Sequence, residues 1–191
     1  MAPSATAPDL PPASALQETI NASKLTLEQS PHPAYLHHLA TQILHDLQHQ
    51  HDWSALIIHT HSPVTSSPLP RPIISGLPPR RVYIHPDEQI EILKAEHETG
   101  ESISREPERE WVLPSQIQEN WSLAKFAAVF DALSTVPPGG EEEEETEGEG
   151  SVGWQWQGKN RQKRLLLGTV HDDSTVVYYI MHDGIVKPRQ N

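Results

Sequence analysis

Near its C-terminus the chain carries six consecutive apolar or aromatic residues, Val176–Met181 (VVYYIM), and this run limits what the chain can fold into. A strand has a side-chain period of two. Val176, Tyr178 and Ile180 therefore share one face, and Val177, Tyr179 and Met181 share the other. A strand packed on a core from one side shows polar residues on its opposite face. This one does not. Either it is central and covered twice, or it lies at a sheet edge and meets another chain. The preceding run Lys163–Val170 (KRLLLGTV) is joined to it by HDDS, so the pair reads as a hairpin. A final strand added by a hairpin often ends a sheet, which favours the edge. An exposed apolar edge aggregates unless a partner covers it.

The rest of the chain supplies the other elements. Residues 1–14 are rich in Pro, Ala and Ser and read as a disordered tail, with one domain over 15–191. In PAYLHHLATQILHDLQHQ, the residues Leu36, Leu39, Ala40, Ile43, Leu44 and Leu47 form one helical apolar stripe, opened by Pro33. Trp53–Thr60 suits a short buried strand, and His61–Pro72 reads as a loop from its prolines and serines. Val82–Ile84, between prolines, is a candidate strand. Asp87–Ser102 suits a helix running into a polar loop. Arg109–Pro114 suits a strand stopped by its proline. Ser122–Leu133 suits an amphipathic helix capped by Ser122. The expected fold class is a small α/β domain: a mixed or antiparallel sheet flanked by helices, closed by a C-terminal β-hairpin.

Net charge is −12, but seven glutamates lie in one stretch, Glu141–Gly150, and account for more than half of it. A block this dense is solvated and self-repelling. Residues 137–151 are accordingly expected to form a disordered acidic insert. The chain has no cysteine, which excludes disulfides and thiolate metal sites. It has neither a run of about 20 apolar residues nor a secretory n-region and h-region. A soluble intracellular protein is expected.

Chemistry-bearing patterns are sparse. His45 and His49 have the i, i+4 spacing of zinc ligands, but no third ligand is fixed and HExxH is absent. A polar helix face is the simpler reading, and neither metal nor cofactor is expected. Glycine-rich phosphate loops and nucleophile elbows are absent too. A metal-independent ribonuclease would need a general acid, a base and a cation. Tyr178 or Tyr179, His171 or His182, and Lys187 supply the residue types near the hairpin. Lys159, Arg161, Lys163 and Arg164 form a basic cluster able to meet an RNA backbone, or to solubilise a strand entrance. Trp154 and Trp156 offer base stacking, or cover for a core edge.

Three segments carry a family resemblance: RPIISGLPPRRVYIHPDEQ, REWVLPSQIQENWSLAKFAAVFDAL and KRLLLGTVHDDSTVVYYIMHDGIVKPRQN. Together they resemble the fungal form of the smallest subunit of the tRNA-splicing endonuclease, the Sen fifteen family, over roughly Leu16 to Asn191. The tail and the acidic run lie outside the resemblance. It implies a nuclease-like domain in a four-subunit complex that cleaves precursor tRNA, with this chain non-catalytic. The expected tyrosine-then-histidine setting of the catalytic subunits is missing from VYIHPDEQ and REWVLPSQ.

The resemblance further implies that Val176, Val177, Tyr178, Tyr179 and Ile180 pair with the catalytic Sen thirty-four type subunit. Asp172 and Asp173 match an acidic loop that docks into the opposite heterodimer, although a tight turn explains two aspartates equally well. Precursor tRNA is reached through the complex, in the nucleus or at the cytosolic face of the mitochondrial outer membrane. Self-pairing of the isolated chain stays open. The alternatives are the ribonuclease above and an acidic adaptor that binds basic proteins.

Overall fold

The computed structural model describes residues 30–139 and 152–184, together with Ser14, Ala15, Gln17 and Glu18. Nearly all of the N-terminal tail, the acidic insert from Gly140 on, and Lys187 lie outside the described residues. The elements run α1 (Ala34–Gln50), β1 (Ser54–His61), β2 (Pro68–Leu77), α2 (Pro86–Thr99), β3 (Glu110–Gln116), α3 (Leu123–Ala132), β4 (Arg164–Val170) and β5 (Val176–His182). Short 3-10 turns, Trp154–Trp156 and Gly158–Asn160, precede β4.

The five strands form one mixed sheet in the order β1-β2-β3-β4-β5. All neighbours are antiparallel except β3 and β4. Parallel neighbours need a crossover, which α3 and the segment after it provide. Strand alternation then sorts the core into two layers. On one face Leu39, Ala40, Ile43 and Leu47 of α1 pack on Ile74, Val112, Leu166 and Val170. On the other, Val129, Phe130 and Leu133 pack on Ile73, Trp111, Leu113 and Leu165. Pro33 occupies the N-cap position of α1. Ser122 caps α3 by accepting from the Lys125 N–H at 3.3 Å.

Four local expectations are corrected. The proline-rich stretch is a loop only over residues 62–67 and is strand β2 from Pro68 on, while Val82–Ile84 is extended but joins no ladder. Alternate prolines Pro68, Pro70 and Pro72 place their missing N–H groups along one side of the strand. Strand β3 pairs only with Ile74–Gly76, so those prolines interrupt no ladder on that side. Strand β3 continues through Pro114 to Gln116, because its pairing with β2 ends at Val112 and only the β4 ladder remains beyond it. Strand β1 is half-exposed at a sheet edge, not buried.

Candidate interaction edge

Strand β5 ends the sheet, and seven residue pairs from Arg164↔His182 to Val170↔Val176 bind it to β4 without a register break. Among the described residues its other side has no strand partner. Val176 and Tyr178 reach the α1 layer and Met181 reaches the α3 layer. Tyr179 and Ile180 stay 51% and 37% exposed, so each face of the outer edge carries a large apolar side chain in water. The two-faced pattern thus comes from an edge strand, each end of which is covered on one face.

The opposite edge is blunted. Strand β1 breaks register twice along its pairing with β2, and Asp52 and Ala55 take positive φ values of 55° and 48°. Bulges of this kind twist an edge away from new partners. Strand β5 has no bulge, lysine or proline.

Tyr178 belongs to the fold as much as to the edge. Its hydroxyl donates to Asp46 Oδ2 at 2.7 Å, and the His51 ring meets it edge-on at 5.2 Å. Burial, followed by the Asp46 carboxylate, pushes its phenol well above the ordinary range. Val177 is half-buried beside it.

The hairpin turn is self-contained. The His171 N–H donates to Thr175 O at 2.8 Å, and Ser174 takes φ 68°. Asp173 accepts from the Thr175 N–H at 3.0 Å, which holds its carboxyl below the usual range. Asp172 accepts from Gln118 Nε2 at 3.2 Å. Both carboxylates remain exposed.

The basic cluster separates into inward and outward members. Arg161 reaches Glu108 at 3.1 Å and Glu110 at 3.3 Å, and Arg164 reaches Glu108 at 2.6 Å and also pairs with Glu110. Arg81 joins the same network through Glu88 at 2.9 Å and Glu108 at 3.2 Å. Burial pushes the Glu108 carboxyl up, but Arg161, Arg81, Arg164 and the Gly158 N–H outweigh it and hold the group below its usual value. The two buried guanidinium groups, Arg161 and Arg164, are therefore not free to meet a phosphate backbone. Lys163 donates to Phe130 O at 2.8 Å, and Lys159 is exposed. Trp156 stacks on His85, the N-cap of α2, at 5.5 Å and 7°.

Of the Tyr, His and Lys candidates for a ribonuclease site, Lys187 lies outside the described residues, and Tyr178 and His182 stand apart on β5. Tyr178 and His182 are four strand positions apart, roughly 13 Å at about 3.3 Å per residue. His182 packs edge-on to Tyr83 at 4.8 Å, with its Nδ1 buried and unpartnered. The His45 and His49 rings lie 4.4 Å apart, and no group of three or more metal-ligating side chains gathers among the described residues. No helix there is long and apolar enough to cross a membrane.

Comparison with known proteins converges on one family. Residues 42–191 match the family model described as Sen15 protein. The chain is similar to the probable tRNA-splicing endonuclease subunit tsp-1 of Neurospora crassa, 51% identical over 157 residues, which cover 82% of this chain and 67% of the relative. It is also similar to the probable tRNA-splicing endonuclease subunit sen15 of Schizosaccharomyces pombe, 31% identical over 83 residues. That second match covers 43% of this chain and half of the relative's length.

Proposed function

The chain belongs to the Sen15 family, and from that premise we propose that it is a non-catalytic structural subunit of a four-subunit tRNA-splicing endonuclease. It pairs through β5 with a catalytic subunit and reaches precursor tRNA through the complex. It works where that RNA is spliced, in the nucleus or at the cytosolic face of the mitochondrial outer membrane. The observation that carries the pairing is the asymmetry of the two sheet edges. Strand β1 is bulged, whereas β5 is regular and leaves Tyr179 and Ile180 in water. The non-catalytic part draws support from the committed Tyr178 hydroxyl and the separation of Tyr178 from His182.

Two measurements test these parts separately. Tyr179→Asp and Ile180→Asp alter exposed side chains, so the fold is retained while a charge enters the seam. Recovery of the other subunits with the tagged chain is expected to drop at least tenfold. Unchanged recovery overturns the pairing. His171→Ala in the assembled enzyme is expected to leave cleavage of precursor tRNA within about twofold. A fall of about 100-fold or more, the scale of a lost general acid or base, with assembly intact would return catalysis to this chain.

A further inference from the structure

Beside β5, on the α1 face of the sheet, lies a groove of about 790 Å³ between the C-terminal end of α1 and the 78–82 segment. Leu47, Trp53, Leu166 and Tyr178 make its apolar floor, and Pro78, Pro79 and Val82 make one wall. Two consecutive prolines fix their own φ angles, so the wall is formed before anything binds. The exposed residues at its rim include Asp52 and Arg80. Arg81 turns into the buried network, whereas Arg80 has no ion-pair partner among the described residues.

The proposed strand pairing leaves something to be supplied here. Stable interfaces bury about 800 Å² on each partner, more than one seven-residue strand edge offers. The contact must extend onto a surface that flanks β5. Tyr178 belongs both to β5 and to the groove floor, so the groove continues the edge directly. Its chemistry suits protein better than RNA. The floor is apolar, and the Asp52 carboxylate shares the groove's rim with Arg80, which weakens the local attraction for phosphate.

Resting on the reading that β5 is the pairing edge, we propose that this groove is a second anchor for the same partner subunit. It takes an apolar side chain or short apolar segment of that subunit, flanked by a carboxylate that meets Arg80. Strand pairing sets the register, and the groove adds the desolvated anchor that a bare edge lacks.

The test uses the whole endonuclease, purified through a tag on another subunit. A photoreactive benzoylphenylalanine is placed at position 179 in one preparation and at position 80 in another, with position 98 on α2 as control. Both test positions are expected to label the same subunit, and Arg80→Glu is expected to weaken its capture about tenfold. If position 179 labels a subunit while position 80 labels RNA, a different subunit or nothing, the groove proposal fails and the edge reading stands. Unchanged capture by Arg80→Glu removes the carboxylate from the proposal. If position 179 labels nothing and Tyr179→Asp still assembles, the edge reading fails and takes the groove with it.

Discussion

Arg161 shows how one side chain joins distant parts of the chain. Its guanidinium donates to Glu108, Glu110, Arg109 O and Thr135 O, tying the entrance of β4 to β3 and to the segment after α3. With Arg81, Arg164 and Glu88 it makes a buried network of three cations and three anions. Such a set is tolerated because each charge is paired, and removing one partner leaves another buried and uncompensated. Glu110→Gln is therefore expected to destabilise the protein by about 3–5 kcal/mol, read as a lowered midpoint in urea unfolding. A cost below about 1 kcal/mol would mean that water reaches the network. None of this was legible in the sequence. KNRQKR reads as a solvated basic patch because its partners, such as Glu108 at a separation of 53 residues from Arg161, come together only through the parallel β3–β4 pairing.

At the scale of elements, periodic signals were readable and proline-rich ones were not. The stripe of α1 and the terminal hairpin stand in the structure where spacing places them. The face that spacing assigns to α3 is only half right: Phe126, Phe130 and Leu133 pack on the sheet, but Leu123 and Ala127 are exposed and Val129 is buried instead. Strand β2 was hidden because proline frequency reports a loop, while the feature that keeps it compatible with a ladder is the alternation of the prolines. The edge position of β5 was legible as one of two options, and the sheet order resolves it.

The approach of α1 to the sheet depends on Gly168 of β4. A Cβ there would lie 3.2 Å from the Tyr178 ring and 3.3 Å from Ile43 Cγ2. Gly168→Val would push the ring off the sheet and strain its bond to Asp46, at a cost of about 1–3 kcal/mol. The expected signature is a lower thermal midpoint together with weaker capture of partner subunits, since β5 carries that ring. Full stability and full capture would show that the layers can separate freely.

For the molecule as a whole, acidification sets two opposed effects against each other. Protonation reduces the net charge of −12 and with it the self-repulsion of the chain. Against this stand three histidines whose pKa values the fold lowers, each first of all by burial. His37 is also near His32 and His38, His59 near Arg109, and His182 near Arg164 and His85. A lowered pKa in the folded state means that the unfolded chain takes up more protons between the folded value and about 6.5. The stability tied to the neutral rings is complete above that pH and is lost as pH falls through the window. Glu108 and Glu119 act lower down. Burial raises both, but their arginines and hydrogen bonds outweigh it, so their contribution persists above about 4.5 and fades below. All three imidazoles keep partial contact with water, which discounts their effect. The thermal midpoint is expected to drop by roughly 2–4 °C between pH 7.5 and 5.5, and more steeply under pH 4.5. His59→Gln keeps a donor toward Ser75, which His59 Nε2 meets at 2.8 Å, and removes one titrating ring. Its profile between pH 7.5 and 5.5 should be flatter than that of the parent. A parent profile that rises on acidification would mean that charge repulsion outweighs the neutral histidines.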